Sequence, residues 1–151
     1  MNDAHLHLVF NHFPIIGTIF GFGVLVAGLI LKNDTVKNVS YCLFIVTAIF
    51  AYASMSTGGG AVGVIKGMPD VTKSMIHEHA DIAKKLAYIL YFLGALSIIG
   101  LYANIKNLGV AKWISFLALI TAGVAGYISK DVGTSGGEIR HTEIRSDLRS
   151  S

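Results

Sequence analysis

Charge is scarce in this chain. Only 14% of its 151 residues are Asp, Glu, Lys or Arg, against roughly 25% in soluble domains. A net charge of +3 is too small and too scattered to form a nucleic-acid surface. The one cysteine, Cys42, excludes an internal disulfide. It sits in an apolar run, where it reads as a small buried thiol. There are two prolines, Pro14 and Pro69, so long helices are allowed. No Lys or Arg precedes the first apolar run and no small-residue cleavage pattern follows it. That run therefore reads as a first span, not a removed leader.

Catalytic signatures are also missing. The Glu78-His79 pair with nearby His77 lacks the HExxH spacing of a zinc hydrolase. Gly58-Gly59-Gly60 has no following Gly-Lys-Ser/Thr and no preceding strand, so it cradles no phosphate. Ser54, Ser56 and Thr57 read as helix-end polar groups. No activity of the chain's own is expected.

Apolar residues are abundant: 53% of the chain, with a mean hydropathy of +0.63. They gather in four segments, about 8–31, 39–57, 83–105 and 110–129. Each is near the ~20 residues that cross a bilayer. Short links make antiparallel neighbours. The expected fold is all-α: one up-down four-helix transmembrane bundle spanning residues 1–151.

Pro14 either starts the first main helix or kinks a longer one begun near Asp3. In the kinked case His5 and His12 share a face and His7 points elsewhere. Gly58-Gly59-Gly60 is expected to end span two, and Asp70 to cap the next helix. That helix would run from Val71 to about Ile105, about 50 Å at ~1.5 Å per residue. Its first turns must stand out of the bilayer. Met75, His79, Ile82 and Leu86 fall on one face of this protruding part, so His79 faces the bundle and His77 faces water. Residues 136–151 read as an amphipathic tail, with His141, Ile144 and Leu148 on one stripe.

Four spans place all six histidines on one side: His5, His7, His12, His77, His79 and His141. The other side carries Lys32, Lys37, Lys106 and Lys112 in two short loops. By the positive-inside rule applied to short loops, the histidine side is external, periplasmic in a bacterial inner membrane. Ionisable groups at membrane depth mark functional sites.

Neutral imidazole is a ligand for haem iron, copper and zinc. Three readings stand. In the first, the chain carries electrons through haem b, with His12 and His79 as axial ligands. Gly17 and Gly21 would give the flat ring space, and Arg140, Arg145 or Lys73 would meet its propionates. In the second, His7, His12, His79 and His141, together with His5, hold copper or zinc near the surface. In the third, the bundle is a non-catalytic accessory subunit anchoring a membrane complex.

The run HLVFNHFPIIGTIFG, from His7 to Gly21, resembles the opening of a bacterial four-span membrane family catalogued as a domain of unknown function. That family opens with two histidines before Phe-Pro, matching His7 and His12. The likeness continues in Ser56-Thr57-Gly58, in the helix bearing Glu78-His79, and from Gly136 to His141. Some members are joined to c-type cytochrome domains. The resemblance implies a respiratory, periplasm-facing setting, with other membrane subunits or a cytochrome c as partners. This chain lacks the Cys-x-x-Cys-His haem attachment motif. Its Gly58-Gly59-Gly60 replaces the family's Thr-Gly-Glu, so no acidic role carries over there.

Overall fold

The computed structural model describes residues 3–141, 144 and 145. Five helices follow in order: α1 (Asp3–Phe10), α2 (His12–Ile30), α3 (Asp34–Ile65), α4 (Lys73–Ile105) and α5 (Ala111–Arg140). No strand occurs among the described residues.

α1 and α2 form one bent span. Asn11 between them keeps helical dihedrals, and its N–H still bonds the carbonyl of His7 at 2.9 Å. The interruption belongs to Pro14, which has no N–H for the carbonyl of Phe10. The chain therefore takes the kinked alternative. Its four long helices, Asp3–Ile30, Asp34–Ile65, Lys73–Ile105 and Ala111–Arg140, are each long and apolar enough to cross a membrane. They have 28 to 33 residues, hence lengths of about 42–50 Å. A hydrocarbon core is only ~30 Å thick, so every helix overhangs it.

Two of the turns are tight for a local reason. Lys32 and Asn107 follow α2 and α4 with φ of 50° and 52°. Each closes a Schellman motif, with Asn33 N bonding Gly28 O and Leu108 N bonding Ala103 O, both at 2.9 Å. Asn33 then caps α3 by accepting from Val36 N. The third link, 66–72, turns at Gly67 with φ +99°.

Three expectations change here. Gly58-Gly59-Gly60 lies inside α3, which runs on to Ile65. Nothing in those glycines breaks a helix that is packed on its neighbours. Asp70 adopts φ 64° within the link, and Thr72 caps α4 by accepting from Met75 N at 3.3 Å. Gly136–Arg140 extends the fourth span instead of opening a separate tail. Residues 142–143 and 146–151, including Leu148 of the proposed stripe, lie outside the described residues.

The helices meet along seams in which buried positions step by three and four. In α2 these are Pro14, Thr18, Gly21, Leu25 and Gly28. In α4 they include Leu86, Leu90, Leu93, Ser97, Gly100 and Asn104, and in α5 Ser115, Ala118, Ala122, Ala125 and Ser129. That rhythm is the 3.5-residue repeat of helices packed near parallel. The span α1–α2 touches α3 and α5, and α4 touches the same two. The first and third spans are therefore diagonal partners, and up-down connectivity runs them in the same direction.

The outside is apolar, with Ile30, Tyr88, Phe20 and Tyr127 all largely exposed. Lipid, not water, suits that surface. Cys42 also lies on it, so the expected buried thiol faces outward. It falls beside the seam position Tyr41, not on it.

Candidate functional site

Polar groups enter the seams at both ends of the bundle and are answered differently. At the lysine end they are paired across helices. Asn104 Nδ2 donates to Asn38 Oδ1 at 3.0 Å, and the Tyr41 and Ser115 hydroxyls lie 2.8 Å apart. In the middle, Thr18, Thr47, Ser97 and Ser129 donate back to carbonyls four residues earlier, and this satisfies them without a partner helix.

The histidine end is built from two rings. His7 extends the α2 seam backward through Asn11 by the same four- and three-residue steps. It points inward, half-buried, with Nδ1 2.9 Å from the carbonyl oxygen of Ser54 and 3.4 Å from Thr57 Oγ1 on α3. Its Cε1 lies over Gly58, 3.6 Å from where a Cβ would stand. His79 likewise extends the α4 seam below Leu86. Its Nδ1 lies 3.0 Å from Ser135 Oγ on α5, and its Cε1 would be 3.0 Å from a Cβ on Gly136. Each imidazole thus rests on a glycine of an adjacent helix. His7 is close enough for its charge to act on His79. The two imidazoles sit on diagonal helices at the same mouth of the bundle, and no hydrogen bond from a described residue reaches either Nε2.

His12 does not join them. It is exposed and its Nδ1 bonds Leu8 O on its own helix at 3.2 Å. The cause is register: the inward positions are His7, Asn11 and Pro14, and residue 12 falls beside them. Its neighbour Phe13 stacks on Phe50 with centroids 4.4 Å apart. The partner that the fold gives His79 is therefore His7.

Gly17 lines an apolar groove with Phe13, Phe20 and Phe50, but the glycine positions themselves are taken by α3 side chains. Gly17 is filled by the Thr47 side chain, and a Cβ on Gly21 would stand 2.5 Å from the Phe44 ring. Arg140 is exposed one turn beyond Gly136, with Nη1 4.0 Å from Met68 Sδ. His141, the exposed C-cap of α5, donates its backbone N–H to Gly137 O at 2.8 Å. His77 is exposed beside Asp81 at 3.5 Å. Among the described residues no group of three or more His, Cys, Asp or Glu is placed to hold a metal ion. The histidine set for copper or zinc is not gathered.

Four residues of this end were not singled out from the sequence as site residues: Asn11, Ser54, Ser135 and Gly136. Ser135 and Gly136 were findable by continuing the α5 seam from Ser129 through Val132. Asn11 is one turn deeper than His7 on the same face. Its Oδ1 is buried and has no hydrogen-bond partner, a costly state for a polar atom.

In chemical type the two imidazoles are donors a haem iron accepts: each is held through Nδ1, which leaves Nε2 for a ligand, as in metal-bound histidines. The bed for a macrocycle does not lie at Gly17 and Gly21. α1 packs on α3 and touches α5 little. Compared with protein-family models, curated proteins and solved structures, the chain finds no match in any of the three.

Proposed function

We propose that this protein is a membrane electron-carrier subunit that holds haem b through His7 and His79. The observation that carries the reading is the convergence of two oriented imidazoles from diagonal helices at one mouth of an otherwise apolar bundle. Both rings are held through Nδ1 on inward-facing positions, the arrangement that leaves Nε2 for a ligand. Arg140, outside them, is the cation available to a propionate. Haem supplies a one-electron couple when bound. The protein's residues hold the two nitrogens in place, seat the rings on Gly58 and Gly136, and keep the interior dry below Asn11.

The resemblance from His7 to Gly21 supports a respiratory setting, with a c-type cytochrome or other membrane subunits as partners. The four lysines in short loops support an external histidine end, which is the periplasmic side in the bacterial inner membrane that the resemblance implies.

The absorption spectrum of the purified protein tests this directly. Haem b gives a sharp visible band on reduction, and His7→Ala or His79→Ala should each abolish it. His12→Ala and His77→Ala should keep it. A featureless spectrum from protein containing no iron overturns the proposal. A second reading, a non-catalytic anchoring subunit, is favoured by Thr47 and Phe44, which already fill the glycine grooves. It is what that featureless spectrum would support.

A further inference from the structure

We infer that Ser135 sets the tautomer of His79, so that His7 and His79 together present two bare Nε2 electron pairs to a transition-metal cation. This deepens the ligand-site reading and rests on it only for the identity of the metal.

The argument follows the protons. A backbone carbonyl can only accept, so the 2.9 Å contact between His7 Nδ1 and Ser54 O requires the proton on Nδ1. Thr57 Oγ1, 3.4 Å away, sends its own proton to carbonyls of α3, so it too accepts from the ring. A neutral imidazole with Nδ1–H has a lone pair at Nε2.

His79 could go either way, because its partner is a hydroxyl. The hydroxyl decides. Ser135 Oγ donates to Val132 O at 3.3 Å, a carbonyl one turn back on the same helix. With the hydroxyl proton turned to that carbonyl, Ser135 accepts from His79 Nδ1 at 3.0 Å, and this is the arrangement the inference requires. His79 is then also an Nδ1–H tautomer with a lone pair at Nε2.

The glycine seat keeps the ring from escaping this choice. Cε1, Nδ1 and Nε2 of His79 lie 3.0, 3.4 and 3.7 Å from a Cβ position on Gly136. The ring plane is pressed along α5, and Nδ1 is the nitrogen beside Ser135.

The neighbouring groups agree in sign. Asn11 Oδ1, one turn below His7, is another buried oxygen with no partner. Two imidazole lone pairs suit an electron-pair acceptor better than an anion. Imidazole nitrogens select iron, copper, zinc or nickel over hard cations. Orienting partners of this type change metal affinity by about 10–100-fold when removed.

Nitrogen-15 NMR of histidine-labelled protein in micelles tests the inference without any metal. His7 and His79 should show a pyridine-type Nε2 and a protonated Nδ1. Ser135→Ala should move His79 to the Nε2–H form, the tautomer that free histidine prefers in water. Ser135→Thr, which keeps a hydroxyl, should restore the original pattern. Hemin titration should follow, with affinity falling at least about tenfold in Ser135→Ala and recovering in Ser135→Thr. An Nε2–H signal for His79 in the unmodified protein overturns the inference. So does a Ser135→Ala spectrum unchanged from it. If the tautomers are as expected and hemin still does not bind, the haem reading falls and the tautomer lock stands.

Discussion

Gly136 is the residue on which the histidine end is most sensitive. A valine there would drive its Cβ into the His79 ring, which cannot retreat without losing Ser135. Gly136→Val should cost about 1–3 kcal/mol of stability, the usual penalty for overpacking, and it should remove the haem band. The same change at Gly133, whose Cβ would meet only Ile15 Cδ1 at 3.9 Å, should do neither. Thermal unfolding and a visible spectrum separate the two variants. His12 shows how much of the site was legible at this scale. The residue types were plain in the sequence, and their gathering on one side followed from four spans. Which histidine looked inward depended on register. The unequal spacing of His7, Asn11, Pro14, Thr18 and Gly21 contains that register, but a pattern made of polar and small residues is faint beside one made of leucines. The Nδ1 partners Ser54 and Ser135 come from other helices, and no local spacing announces them.

At the scale of elements, α1 is the shortest of the five helices, has no fully buried residue and carries one of the two rings. It is held on α3 where Gly60 lets Asp3 approach. Gly60→Val should lift α1 away, raising hydrogen exchange of amides 3–10 and weakening hemin binding. Gly63→Val, with nothing within 4 Å of its Cβ position, is the control and should leave both unchanged. At the lysine end, Tyr41→Phe deletes the hydroxyl that meets Ser115. Interhelical hydrogen bonds in membranes are worth about 0.6–1.7 kcal/mol, so unfolding in mixed detergent should shift by that modest amount. The number of spans and their order were readable from hydropathy because ~20 apolar residues have few other uses. Helix ends were not readable. Gly58-Gly59-Gly60 and Gly136-Gly137 resemble stops, yet tertiary packing carries both stretches through as helix. Intrinsic propensity is a weak prior of about 1 kcal/mol per glycine.

For the molecule as a whole, the polar groups divide into two distant sets. Between them lie Leu25, Phe44, Leu90, Leu93, Ala118 and Ala122, all fully or nearly fully buried. Thr18, Thr47, Ser97 and Ser129 in the same region turn their protons onto their own helices, so they form no relay. Loaded with hemin as proposed and reconstituted in vesicles with a voltage-sensitive dye, the chain should take one electron per ferric haem from a soluble reductant at the histidine face and leave the dye signal flat. If haem is held by His7 and His79 as proposed, charge is handled at one surface alone. Any contribution to the voltage across the membrane would have to come from a second protein that completes the circuit, and the overhanging turns of α4 and α5 are the side on which that circuit would be joined.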